Sequence, residues 1–355
     1  MDPNTLKALQ GAAGGGSPEV VLAVTHWGSP YVYVYPWESG TGFGTKYADP
    51  STPPTGEGKS VSFSADSAYI AISHEVSPYI SVYPWSSTGF GTKYANPSTL
   101  PPSGNGSGVA FSPDGTAIAF ATGGSSTPYF SAYPWSSSGF GTKYSDPGGL
   151  PSESNARCRE TAWSPDGADI GVAHYGTPCL SVYPWNSGSG FGSKYSDPSS
   201  PLSRLGTGFA WSPDGANIAS VSTGQASSNI GAWTWSSGFG TKYSDPSTLP
   251  SGAGVTARWS PDGSDIAVTT ESSPYIQVYP WSGSGFGTKY SNPSTLPTGA
   301  AYNPSWSPDG ADLAVAHGGS PFITVYPWSS GFGTKYSNPS TLPSVSAYGC
   351  NFSPG

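Results

Sequence analysis

The chain has 355 residues, of which 10% are charged, and its formal net charge is −8 at pH 7. Its 49 glycines and 37 prolines make up about a quarter of the chain, which excludes long helices, while 14% aromatic residues supply the apolar area that a disordered chain lacks. Only 13 residues are Lys or Arg, too few for a surface that follows a phosphate backbone, so a nucleic-acid partner is not expected.

The first 16 residues differ in character from the rest. Leu6, Ala8 and Leu9 precede a glycine-rich run, which predicts a short docking helix and a hinge. The segment lacks the 7–15-residue apolar run of a secretory signal, and no stretch of the chain approaches 18 apolar residues. We therefore expect neither export nor membrane insertion, and we divide the chain into a tether, 1–16, and a single domain, 17–355.

A repeat of about 50 residues dominates the domain. The tripeptide Tyr-Pro-Trp or its variant Trp-Thr-Trp occurs seven times, with its middle residue at 36, 84, 134, 184, 234, 280 and 327. A segment Phe-Gly-Thr/Ser-Lys-Tyr follows each copy. The period matches one four-stranded blade of a β-propeller, so the sequence predicts an all-β, seven-bladed β-propeller.

Each repeat contains four extended pieces. In residues 303–339 they read NPSWS, ADLAVAH, SPFITVYPW and FGTKY, which we name strands a, b, c and d. Ser-Pro-Asp-Gly forms the turn between a and b, and β-branched and aromatic residues fill b and c. The pattern predicts a four-stranded antiparallel meander in every blade.

The two ends of the domain complement each other. The domain begins with strands b and c, and its last residues, AYGCNFSPG, match strand a and its turn. We predict that the strand around Asn351 and Phe352 pairs with Val20–Val24 and closes the ring without an open sheet edge.

Two resemblances can be stated on these residues. The segments GVAFSPDGTAIAFAT, TAWSPDGADIGVAH and PSWSPDGADLAVAH resemble strands a and b of WD-repeat and TolB-type propellers, over residues 17–355, although no Gly-His dipeptide precedes strand a and no Trp-Asp ends strand c. The leader TLKALQGAAGGG and the YPWSSGFGTKYSNPSTLP units resemble virion-associated proteins of environmental bacteriophages. The second resemblance implies a place in a virion, with residues 1–16 binding other virion proteins.

The seven copies differ most where b–c and d–a turns would meet, a face we call the top. Counting back from the aromatic residue of strand a, the fourth and third positions are irregular in charge and size and should surround the mouth of the central channel. Free drift of loop residues is the alternative. The candidate binding rim comprises Lys59, Arg157, Arg159, Glu160, Arg204, Arg258, Tyr302, Asn303 and Tyr348.

The four histidines share one repeat position, the end of strand b: His26, His74, His174 and His317. We include them in the candidate rim as a ring for hydrogen bonding or pH response. The alternative is a polar residue that caps the b–c turn. Blades are too far apart for these side chains to bind one metal ion.

Other residues leave the chemistry open. Cys158, Cys179 and Cys350 are too scattered for a disulfide framework or a metal site and are interpreted as small, buried or half-buried residues. The repeated aromatic residues form either sugar-stacking slots or wedges between blades. The charges of segment 153–160 form either an acid/base site or an ion-paired recognition loop, and no known catalytic motif is present.

The sequence therefore predicts a non-enzymatic propeller without cofactor or metal, a decoration or host-recognition protein of a phage particle. Its top face would bind a host-surface glycan or protein. The alternatives are a multivalent lectin that uses the aromatic slots and, less favoured, a propeller hydrolase or lyase.

Overall fold

A computed structural model describes residues 19–102, 104–124, 128–149, 157–202, 205–223 and 229–355. The predicted tether lies outside these residues. The described residues form 27 strands, and they contain no helix long and apolar enough to cross a membrane.

The strands follow one another blade by blade. Blade 1 begins with β1 (Val21–His26), β2 (Val32–Glu38) and β3 (Gly42–Phe43). Blade 2 contains β4 (Gly58–Phe63), β5 (Tyr69–His74), β6 (Ile80–Ser86) and β7 (Gly89–Phe90). Blade 3 contains β8 (Gly106–Phe111), β9 (Ala117–Thr122), β10 (Phe130–Ser136) and β11 (Gly139–Phe140). Blade 4 contains β12 (Cys158–Trp163), β13 (Asp169–His174), β14 (Leu180–Asn186) and β15 (Gly190–Phe191).

The second half of the ring repeats the scheme. Blade 5 contains β16 (Leu205–Trp211), β17 (Asn217–Thr223), β18 (Ile230–Trp235) and β19 (Phe239–Lys242). Blade 6 contains β20 (Gly254–Trp259), β21 (Asp265–Thr270), β22 (Ile276–Ser282) and β23 (Gly285–Phe286). Blade 7 contains β24 (Ala301–Trp306), β25 (Asp312–His317) and β26 (Ile323–Pro327), and β27 (Ala347–Phe352) returns to blade 1.

The blades are antiparallel sheets in the order a-b-c-d, and a bridge between Trp328 and Phe332 takes the place of strand d in blade 7. Strand a of each blade packs against strand a of both neighbours, from β4 round to β27 and back. The seven inner strands therefore surround a central channel, and the predicted all-β, seven-bladed propeller is confirmed.

The ends of the domain close the ring as predicted. Strand β27 pairs antiparallel with β1, with Leu22 opposite Phe352 and Ala23 opposite Asn351. The amide of Val21 also donates to Ser353 Oγ at 3.0 Å. Blade 1 thus takes its inner strand from one end of the domain and its other strands from the opposite end.

Strand d is shorter than the predicted segment Phe-Gly-Thr-Lys-Tyr. In blade 1 the ladder covers only Gly42 and Phe43, but the amide of Gly44 still donates to Pro36 O (2.8 Å) and that of Tyr47 to Val34 O (2.9 Å). Three residues of d thus span two residues of c, so one extra residue interrupts the ladder. Pro36 contributes to this interruption because it has a carbonyl but no N–H to offer.

The tryptophans of the Tyr-Pro-Trp repeat are wedges between blades. Trp37 is 5% exposed and makes edge-to-face contacts with Phe352 of its own blade and with Tyr336 of blade 7. Its Nε1 donates to Asp312 of blade 7 at 3.0 Å, and Tyr336 OH donates to the other oxygen of that carboxylate at 2.8 Å. All seven repeat tryptophans are at most 9% exposed, so the alternative in which they form exposed sugar-stacking slots is wrong.

Candidate functional site

A β-bulge occurs at the top of strand a in every blade. In blade 2, Gly58 pairs with His74 and Ser60 pairs with Ser73, so Lys59 is an extra residue without a partner in the ladder. The seven extra residues are Lys59, Ser107, Arg159, Thr207, Val255, Tyr302 and Tyr348. They occupy the fourth position before the aromatic residue, where the internal copies differ most. Bulges re-aim side chains and are common beside active sites.

All seven extra residues line one cavity of ≈ 420 Å³ at the top mouth of the channel. A second cavity of ≈ 280 Å³ lies in the channel below it, and the two share Ser60, Gly108, Glu160 and Asn303. The upper volume lies within the range of small-molecule sites. The structure thus brings six of the thirteen predicted rim residues together around a space suited to a small ligand: Lys59, Arg159, Glu160, Tyr302, Asn303 and Tyr348.

Glu160 forms the floor between the two cavities. The equivalent residue in the other blades is Ser, Gly, Thr or Asn, so this side chain alone is long and charged at its level. Its Oε2 accepts a hydrogen bond from the amide of Phe209 (3.0 Å) and another from the hydroxyl of Thr256. The carboxylate is therefore held in one orientation by blades 5 and 6.

Arg258 completes this floor from the lower cavity. Its Nη2 forms an ion pair with Glu160 Oε1, and its Nη1 donates to Ala257 O (2.8 Å) and to Thr256 Oγ1 (3.2 Å). Glu160 has 12% of its side chain exposed and Arg258 32%, so the pair is largely shielded from solvent. With three hydrogen bonds on a group that has about four acceptor sites, Oε1 keeps one lone pair for a ligand or a water molecule.

Arg159 lies beside Glu160 and projects into the upper cavity. Its Nε and Nη2 both donate to Tyr175 OH, at 3.0 and 2.6 Å, and the guanidinium lies 5.1 Å from the centre of the Tyr175 ring. Within the described part of the chain it makes no ion pair. A half-buried guanidinium without a carboxylate partner is suited to an anionic or developing negative oxygen.

Lys59 has different surroundings. Its Nζ lies 2.9 Å from Glu57 Oε2 and 3.0 Å from Glu75 Oε1, and 4.2 Å from the centre of the Tyr348 ring. The two carboxylates neutralise this cation. Lys59 and the two glutamates together therefore offer hydrogen-bonding groups to a ligand without a net positive charge.

Aromatic rings form the third part of the wall. The rings of Tyr302 and Tyr348 are 4.7 Å apart between centres, and that of Trp27 lies 5.2 Å beyond Tyr348. Burial raises the pKa of both tyrosines, with Glu271 adding to the effect at Tyr302, so both are neutral donors at neutral pH. The aromatic part of the mouth therefore lies next to the charged group of Lys59, Glu57 and Glu75.

The structure separates some predicted rim residues from this cavity. Arg157 is exposed just before β12 and does not line the cavity, and Arg204 lies outside the described residues. Arg258 belongs to the lower cavity rather than to the rim. Asn303 occupies the position of blade 7 that is equivalent to Glu160, and it also lines both cavities.

The four histidines do not belong to the rim. His26, His74, His174 and His317 are fully buried, and burial lowers the pKa of each to about 4. In three of them Nε2 bonds a hydroxyl of the adjacent strand c, at 2.8 to 3.0 Å. The prediction that these histidines belong to the top-face rim is therefore wrong, because they pack inside the blades.

One repeat position of the site was not predicted from the sequence. It is the position directly after the strand-end position that four histidines occupy. It reads Trp27, Glu75, Gly123, Tyr175, Thr223, Glu271 and Gly318. Tyr175, Thr223 and Glu271 line the upper cavity. A comparison of the internal copies at this position could have found them, because its residues vary as widely as those of the bulge.

The predicted burial of the cysteines agrees with their surroundings. Cys158, Cys179 and Cys350 are buried, and burial raises the pKa of the thiols, to about 12 for Cys179 and Cys350. They are packing residues without thiolate chemistry at neutral pH.

No protein-family model matches the chain, and no curated protein matches it. Solved structures do match. The periplasmic gluconolactonase of Pseudomonas aeruginosa is 14% identical and has a TM-score of 0.71, over 94% of this chain and 99% of that one. A putative 6-phosphogluconolactonase of Bacteroides fragilis is 12% identical with a TM-score of 0.68, over 96% and 99%. The β-propeller domain of Myceliophteria thermophila Swd1 is 11% identical with a TM-score of 0.59, over 84% and 90%.

At identities this low, the structural likeness shows the fold alone. The Swd1 match agrees with the predicted likeness to WD-repeat propellers. The prediction of a non-enzymatic phage decoration or recognition protein is wrong in this light, because lactonases stand among the structures that the chain resembles over nearly its whole length. The comparisons give no support to the resemblance with bacteriophage virion proteins.

Proposed function

We propose that this protein is a hydrolase of sugar-type lactones that acts in the upper cavity of the channel. The observation that carries the proposal is the carboxylate of Glu160, held in a fixed orientation at the floor of a small-molecule cavity beside Arg159, a cation that has no ion pair among the described residues. The likeness to lactonase propellers supports hydrolysis of a cyclic ester over other chemistry at this site.

The reaction needs a base and a group that stabilises an oxyanion. Glu160 Oε1 accepts a proton from a water molecule, whose oxygen attacks the carbonyl carbon of the lactone. The carbonyl oxygen becomes negative in the tetrahedral intermediate and is stabilised by the guanidinium of Arg159. The bond to the ring oxygen then breaks, the ring oxygen takes up the proton, and a hydroxy acid results.

The remaining walls suit a polyhydroxylated ring. The tyrosine pair Tyr302 and Tyr348 offers an aromatic surface to the C–H face of a sugar, and Glu271, Asn105 and Ser107 offer acceptors and donors to its hydroxyls. This mixture of aromatic and polar groups is what a small-molecule site uses to orient its ligand.

The test is proton release from D-glucono-1,5-lactone, followed in a pH-stat at pH 6.5 against the spontaneous rate. We expect Glu160→Gln to lower kcat by 10² to 10⁴, since a general base is lost, and Arg159→Ala to lower kcat/KM by at least tenfold. Arg157→Ala is the matched control for Arg159 because this exposed arginine lies two residues away and outside the cavity.

Glu38→Gln is the control for Glu160, since Glu38 is exposed at the opposite end of a blade. Near-ultraviolet circular dichroism of each variant would show that the ring remains folded. A rate no faster than the spontaneous one, or a rate unchanged by Glu160→Gln in a folded protein, would refute the proposal.

The place where the protein works is a separate proposal. The resemblance of the leader supports a virion location, with residues 1–16 binding other virion proteins. Deletion of residues 1–16 tests this contact: the propeller should stay folded and lose its attachment to particles.

A further inference from the structure

Trp27 differs from every other tryptophan of the chain. Twelve of the thirteen tryptophans are at most 9% exposed, whereas Trp27 is 43% exposed. It lies directly after β1 on the top face, outside the hydrophobic clusters between the blades. A large aromatic side chain that leaves so much area in water contributes little to the stability of the fold. Its position is therefore better explained by contact with a ligand.

The backbone around Trp27 is fixed. Its amide donates to Ser346 O at 3.2 Å, and the turn that follows is closed by bonds from Tyr31 N to Gly28 O (2.7 Å) and from His26 N to Tyr31 O (3.0 Å). The side chain therefore stands on a rigid base beside the mouth of the channel. A fixed surface binds a ligand at a lower entropic cost than a mobile one.

Trp27 extends the aromatic wall of the cavity outwards. The ring of Tyr348 lies between those of Tyr302 and Trp27, with centre distances of 4.7 and 5.2 Å and tilts of 42° and 36°. Tyr302 and Tyr348 line the cavity, and Trp27 lies beyond them towards solvent. The aromatic surface thus continues past the space that a single sugar ring would fill.

Hydrogen-bonding groups accompany this outer part of the surface. Lys59 Nζ lies 5.3 Å from the centre of the Trp27 ring and is held by Glu57 and Glu75. Carboxylates and an ammonium group beside an exposed indole match a sugar ring, which has an apolar face and a hydroxyl edge. They do not match a purely apolar partner, for which burying three charged groups would be costly.

We infer that the substrate carries a second sugar ring, which stacks on Trp27 while the lactone ring occupies the cavity. The substrate class is the aldonolactone of a disaccharide. This inference rests on the proposed function for its chemistry, but its binding prediction can be tested apart from turnover.

The kinetic test compares cellobiono-1,5-lactone with D-glucono-1,5-lactone. We expect the full-length protein to show a kcat/KM at least tenfold higher for the disaccharide lactone, and Trp27→Ala to bring the ratio of the two values close to one. Trp27→Phe should keep most of the ratio, because it keeps an aromatic face. Leu100→Ala is the control for loss of an exposed apolar side chain outside the cavity.

The binding test uses the unreactive acids cellobionate and gluconate in isothermal titration calorimetry. Tighter binding of cellobionate that disappears in Trp27→Ala supports the inference, even if neither lactone is hydrolysed, in which case only the proposed function fails. Equal affinity for the two acids, binding of neither, or a cellobionate preference that survives Trp27→Ala overturns it.

Discussion

Acidification should destabilise the ring through its four buried histidines before most carboxylates titrate. Burial lowers the pKa of each imidazole from 6.5 to about 4, because the charged form is deprived of water inside the blade. Above pH 6.5 both folded and unfolded chains hold neutral histidines. Between pH 6.5 and 4 only the unfolded chain binds the protons, so stability falls as the pH falls through this window.

The size of the effect follows from the two pKa values. At about 1.4 kcal/mol for each pKa unit, the interval from 6.5 to about 4 amounts to about 3.4 kcal/mol for one histidine, of which about 2.5 kcal/mol is lost already at pH 4.5. His317 is a suitable case because its Nε2 bonds Thr324 at 2.8 Å while its Nδ1 has no partner among the described residues. Burial outweighs the backbone of Gly319, which acts in the opposite direction, so the pKa of His317 is lowered overall.

The perturbation is His317→Thr, since two other blades carry Thr122 and Thr270 at this position. Urea unfolding of wild type and variant, followed by tryptophan fluorescence at pH 7.5 and 4.5, gives the free energy of unfolding at each pH. The loss between the two pH values should be smaller in the variant by about 2.5 kcal/mol, and the packing cost of the substitution cancels in this difference. An equal loss in both proteins would show that the imidazole is not kept neutral by burial.

Three further predictions concern the contacts that hold the blades together. Asp312→Ala should lower the free energy of unfolding by about 3 kcal/mol, because two buried donors lose their acceptor, whereas Asp312→Asn should cost less, since it keeps one acceptor oxygen; urea unfolding measures both. Trp37→Phe should lower the free energy of unfolding by about 1 kcal/mol more than Trp185→Phe. The reason is that Nε1 of Trp37 bonds Asp312, whereas Nε1 of Trp185 has no partner among the described residues. Similar losses of stability in the two variants would contradict this prediction. Deletion of residues 347–355 should abolish cooperative thermal unfolding, since β1 would lose its partner strand and the ring its closure, and a truncated chain that melts like the full one would refute the role of the closure.

Comparison of the internal copies predicted the part of the site that varies from blade to blade. Lys59, Arg159, Tyr302 and Tyr348 stand at one repeat position, and that position proved to be the bulge at the channel mouth. The same comparison misjudged the histidines. Their repeat position is polar in every blade, yet all four histidines are buried and three of them bond a hydroxyl on the neighbouring strand inside the sheet.

The charged segment around Glu160 is a case in which the local sequence did not predict the ion-pair partner. Its charges suggested either an acid/base site or a loop whose ions pair with one another. Glu160 instead pairs with Arg258, 98 residues further along the chain and two blades away. Arg157, close in sequence, points elsewhere and remains exposed.

The sequence alone predicted the strand content, the number of blades and the closure between the ends. It also predicted, as one of two alternatives, that the repeated tryptophans are wedges between the blades. These properties depend on the alternation of side chains along a strand and on a period of about 50 residues, both of which are local and repeated seven times. Only the tertiary structure decided that Glu160 lies between the upper cavity, which Arg159 lines, and the lower cavity, which Arg258 lines. It also decided that the histidines are buried and that Trp27 continues the aromatic wall. Those relations join different blades, and a side chain's distance across the ring depends on packing that no single repeat encodes.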